Sequence, residues 1–129
     1  MSTLETVADY ISDARTLLQD TIAPNRYDDP SLLVALNVTL LEMRRIRPDL
    51  FVFEHHERTP NFTAVNTQPI ELEPPFRLAL VYGTVAHALA RDQEDVQDAR
   101  SAGFMRVFYS MLLGMAVPGV QSPQPGAKP

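Results

Sequence analysis

The chain is 129 residues long, carries a formal net charge of -5 and contains no cysteine. Such a length suits one domain whose core takes roughly 70% of the unfolded chain's surface out of water, and the lack of cysteine excludes disulfides, cysteine-ligated zinc and thiol nucleophiles. The acidic balance argues against tight nucleic-acid binding, which draws its affinity from clustered Lys and Arg.

No apolar run approaches the roughly 20 residues that a membrane helix needs. The opening MSTLETVADY lacks the basic and apolar regions of a signal peptide, so a soluble, unexported protein is expected. Of the eleven basic residues ten are arginine, and the lone lysine, Lys128, lies near the C-terminus.

Apolar residues at Leu4, Val7, Ile11, Ala14, Leu18 and Ile22 recur every three or four positions and predict a first helix of roughly 30 Å. Ser2 and Glu5 suit a capping box at its start, Pro24 stops it, and Asp9, Asp13 and Asp20 fall on a solvated face. A second helix opens at Asp29-Pro30, where a carboxylate accepts from unpaired N–H groups and proline gives up a donor that would have no partner. Its buried stripe is Leu33, Leu36, Leu40 and Met43. Arg44, Arg45 and Arg47 crowd its last turn before Pro48, as a C-terminal cap against the helix dipole or as a subunit contact, a nucleic-acid patch being the least favoured reading.

Helical periodicity stops between residues 49 and 75, where LFVF, FTAV and PIEL are short β-prone pieces. A hairpin or extended excursion between helices is expected there, and loops of this length usually carry function. Phe51, Phe53 and Phe62 give it more apolar mass than a linker needs. Within it EHHER places His55 and His56 between acids; adjacent residues of an extended chain point to opposite sides, so the two rings do not chelate one ion together. Glu54 with His56 would need further ligands. The favoured reading is a solvated or interface loop, ahead of a pH-sensitive contact and a metal site.

Pro74-Pro75 introduce a third helix, FRLALVYGTVAHALARD, apolar around most of its circumference and so contacted on several sides. Gly83 is expected to admit a neighbouring helix closely, because glycine in a helix interior costs about 1 kcal/mol relative to alanine. His87 reads as a packed, hydrogen-bonded residue. A short turn near Asp92 leads into a fourth, antiparallel helix with acids Asp92, Glu94, Asp95 and Asp98 at its start and a stripe including Val96, Ala99, Phe104, Val107, Phe108, Met111, Leu112 and Met115. Residues 1–118 therefore form one all-α domain, a four-helix bundle with its excursion, and 119–129 a flexible tail rich in Pro and Gly.

Nothing in this pattern announces catalysis. Glu-x-x-His pairs on facing helices, a glycine-framed serine and a phosphate loop are all missing, and no cofactor is expected. Two sequons, Asn37–Thr39 and Asn61–Thr63, are treated as chance matches.

Taken together, Ala14 to Asp20 (ARTLLQD), Arg26 to Asn37 (RYDDPSLLVALN), Arg47 to Phe51 (RPDLF) and Pro74 to Val81 (PPFRLALV) resemble the small helical head-to-tail adaptor proteins of tailed bacteriophages. The likeness runs to about Val117 and rests on order and spacing; the bulkier EHHER excursion and the tail depart from it. It implies a ring of identical subunits, commonly twelve, that joins the portal to the tail proteins in the virion neck and extends the channel through which DNA leaves without sequence-specific binding. On that reading Arg44, Arg45 and Arg47 would meet Asp92, Glu94 and Asp95 across a subunit interface. Phe51, Phe53, His55, His56, Phe62, Val117, Pro118 and Val120 would contact portal or tail. The rival readings are a metal-dependent helical hydrolase using Glu54, His56 and Asp95, and a small helical regulatory protein that binds another protein.

Overall fold

The computed structural model describes residues 3–54, 61–91 and 95–114, with the side chains of 52–54 and 95–98 outside the description. The chain is mainly helical: α1 (Val7–Leu18), α2 (Asp29–Ile46), α3 (Pro74–Ala90) and α4 (Asp95–Leu113), with a 3-10 helix at Pro48–Glu54 after α2.

α1 is shorter than its periodicity suggests. Its cap is Thr6, whose hydroxyl accepts from Asp9 N while the Asp9 carboxylate accepts from Glu5 N and Thr6 N at 3.0 and 3.1 Å, so the capping box lies one turn beyond Ser2–Glu5. Tertiary structure decides this register. Val7 N donates to Gln68 O at 3.0 Å and Ala8 N to Asn66 O at 2.9 Å, so a segment far along the chain satisfies the first-turn donors that a helix leaves open. Gln19, in the left-handed region, ends the helix well before Pro24, and Ile22 is left on the surface.

The turn between α1 and α2 is organised by Asp20, which is 7% exposed rather than solvated. Its carboxylate accepts from Arg26 N at 2.7 Å, Tyr27 N at 2.9 Å and the Arg15 guanidinium at 3.0 Å. Arg15 also donates to Tyr27 O and to Asp29 Oδ1, at 2.7 and 2.6 Å, and so ties α1 to the start of α2. The N-cap of α2 is Asp28, accepting from Ser31 N at 2.9 Å; Asp29 is the first helical residue.

α3 is the central element: it packs most extensively against α4, then α2, then α1. The Ser101 hydroxyl donates to Ala86 O and Phe104 stacks near Tyr82, an order of pairs that makes α3 and α4 antiparallel. α2, α3 and α4 meet at Gly83. A methyl group there would meet the Thr39 side chain and lie 2.8 and 2.9 Å from two ring carbons of Phe108, so only glycine fits. One turn on, His87 Nδ1 lies 2.8 Å from Gly83 O and 3.1 Å from Thr39 Oγ1, and the ring meets Phe108 edge-on. A carbonyl only accepts and Thr39 donates to Ala35 O, so Nδ1 carries the proton. The expectations for α3, Gly83 and His87 hold.

Among the described residues the excursion, expected as a hairpin or an extended segment, shows no β-strand. LFVF lies in the 3-10 helix, and the described residues 61–73 are extended or bent, with one isolated bridge, Thr6 to Pro69. Their role is to close the core over α1 and α2. Leu50, Phe51, Phe62, Ile70 and Leu72 are all buried in the same cluster as the helix stripes.

Candidate functional site

Phe51 and Phe62, expected as exposed anchors for a partner, are each 4% exposed and belong to the chain's own core. The reason is local to the fold. Asn37, on α2, holds both backbone polar groups of Phe62: its amide donates to Phe62 O at 2.8 Å and its carbonyl accepts from Phe62 N at 2.9 Å. That clamp turns the aromatic ring inward and gives Asn37 a structural task. His55, His56, Asp92, Glu94, Val117, Pro118 and Val120 lie outside the described residues, as do the side chains of Phe53, Glu54 and Asp95. Among the described residues no three potential ligands cluster as a metal site would require, and no helix is long and apolar enough to cross a membrane.

The arginine cluster at the end of α2 divides into separate roles. Arg47 donates to Leu112 O at 2.7 Å, reaching an open carbonyl in the last turn of α4, pairs with Asp49 at 2.9 Å and lies over the Phe76 ring at 5.2 Å. It caps α4 and joins all three neighbouring elements. The guanidinium beside Asp49 holds that carboxyl below its ordinary range. Arg45 pairs with Glu42 one turn back, and the Tyr109 hydroxyl donates to the same carboxylate at 3.1 Å. The Arg45 side chain is nonetheless 69% exposed, and solvent screens such surface pairs strongly. Hydrogen bonding from Arg45 is the main reason the Glu42 carboxyl sits below its usual range.

Beside Arg45 runs a feature that the inward stripe of α2 concealed. Val34, Val38 and Leu41 are exposed, Leu41 to 58%, and their spacing of four and three residues puts them on one outer face in line with Arg45. Because LLVALNVTLL is apolar on more than one side, periodicity alone does not separate the buried stripe from the outer one.

A second surface lies where the excursion enters α3. Here Leu50, Pro69, Ile70, Leu72 and Pro74 line a groove of about 570 Å³ together with Glu5, Glu71, Glu73 and Arg77. Arg77 is a strut of the groove wall, donating to Leu72 O at 3.0 Å and to Thr3 O at 3.3 Å. Glu5, Glu71 and Glu73 make no ion pair among the described residues. The groove thus has an apolar lining and a surplus of negative charge, and it suits a surface that is apolar with a positive end.

Comparisons with profiles of known protein families, with curated proteins and with solved structures return no match.

Proposed function

We propose that the chain is a head-to-tail adaptor of a tailed bacteriophage: a four-helix-bundle subunit that assembles into a ring beneath the portal, joins it to the tail and lengthens the DNA exit channel. It is made in the bacterial cytoplasm and resides in the virion neck. One observation carries the reading beyond a likeness of short segments. The motifs behind the resemblance engage one another in pairs, and one of them holds the excursion. Arg15 and Asp20 of the first motif bond Arg26, Tyr27 and Asp29 of the second. Asn37, which closes the second, clamps Phe62. Arg47 of the third stacks on Phe76 of the fourth.

The chain's charge of -5 fits a channel component, since a negative wall does not hold passing DNA. A decisive experiment is deletion of the gene from a phage that carries it. DNA-filled heads lacking tails, restored to infectivity by the gene supplied in trans, are expected. Normal virions from the deletion would end the proposal.

A further inference from the structure

Building on the ring reading, we propose that neighbouring copies dock heterologously, the outer α2 face of Val34, Val38, Leu41 and Arg45 entering the acid-rimmed groove of the next copy. Cyclic assembly requires two different, complementary surfaces on each subunit, because a patch that pairs with itself closes as a dimer. The α2 face and the groove meet that requirement in both shape and charge. The face is a convex ridge about 10 Å long between Val34 and Leu41, at 1.5 Å per residue, and it ends in the exposed guanidinium of Arg45. The groove is concave, its 570 Å³ is of the size that holds a handful of aliphatic groups, and Glu5, Glu71 and Glu73 supply the opposite charge.

Single exposed aliphatics are ordinary on a protein surface, but three aligned on one helix face form a patch that gains from being covered. The desolvated core of the contact would come from the aliphatic face, and register from Arg45 turning from Glu42 toward the rim acids of its neighbour. Arg45 thereby takes the interface role expected of the cluster, with Glu71 and Glu73 as its acidic partners in place of the start of α4.

The chain has no cysteine, so placed thiols report the contact directly. The test uses the full chain with Leu41→Cys or Glu71→Cys, treated with a short bis-maleimide linker, with the phage's portal protein both present and absent. Each single variant alone is expected to cross-link weakly, the mixture of the two to give a covalent dimer, and the double variant a ladder of higher species. Glu5→Lys with Glu73→Lys added to the double-cysteine background should weaken the ladder more than about tenfold, because like charges then face each other. Cross-linking of Leu41→Cys alone as efficient as the mixture would mean that α2 meets α2 and would overturn the proposal, as would the absence of any covalent species. Portal-bound rings that persist in the Glu5→Lys, Glu73→Lys variant would overturn this docking and leave the adaptor reading standing. Failure of the wild type to join the portal at all would overturn both.

Discussion

Gly83→Ala and Gly103→Ala make the same chemical change in two helices and are expected to act in opposite directions. At Gly83 the new methyl lands within 3 Å of Phe108 ring carbons and still closer to Thr39, so α2 or α4 must move away from α3. Overpacking of this kind costs about 1–3 kcal/mol, and three close contacts with two different helices put Gly83 at the upper end. Against that stands a gain of about 1 kcal/mol from replacing glycine in a helix. The net loss is about 2 kcal/mol, or a fall in Tm of roughly 6–10 °C for a domain of this size. At Gly103 in α4 nothing lies within 4 Å of the added carbon. Only the helix gain remains there, and Tm should rise by about 3–5 °C. Thermal unfolding followed by far-UV circular dichroism measures both. A Gly83→Ala protein as stable as the wild type would refute the claim that the three helices meet at that backbone.

Tyr10 is fully buried and its hydroxyl has no hydrogen-bond partner among the described residues. Tyr10→Phe should therefore stabilise the protein, by about 1 kcal/mol in denaturant unfolding. Burial also pushes the phenol above its ordinary value of 10.0. With the folded pKa raised, the wild type loses stability as pH rises beyond 10, because the unfolded chain releases the phenolic proton first; Tyr10→Phe should flatten that alkaline limb, so its advantage over the wild type grows there. Asp20→Ala leaves two backbone donors and the Arg15 guanidinium short of a partner and should cost about 3 kcal/mol, visible as a lower urea midpoint. Phe62→Ala should lose about 3–5 kcal/mol of stability as a core truncation; a variant of wild-type stability that fails only in partner binding would restore Phe62 as a surface anchor.

What the sequence discloses depends on how local each feature's cause is. The start of α2 at Asp28 to Pro30, its end before Pro48 and the tight contact at Gly83 follow from proline, capping chemistry and glycine sterics within a few positions. The start of α1 falls at Thr6–Asp9 rather than at the expected Ser2–Glu5 box. The choice falls to Asn66 and Gln68, whose carbonyls meet the donors of Val7 and Ala8. Asp20 looked solvated because its partners Arg26 and Tyr27 come within reach only when the chain turns back. Phe51 and Phe62 looked like anchors for the same reason: their burial depends on the Asn37 clamp and on helices distant in sequence. The groove joins Glu5, Leu50 and residues around Glu71, which no short window contains together.

The measurement closest to the central claim is native mass spectrometry of the chain co-expressed with the portal protein that the adaptor reading gives it as a partner. The adaptor reading requires one species in which a closed set of identical 14.4 kDa subunits is bound to the portal ring. Portal rings recovered without the chain, while the chain itself remains monomeric, would contradict it.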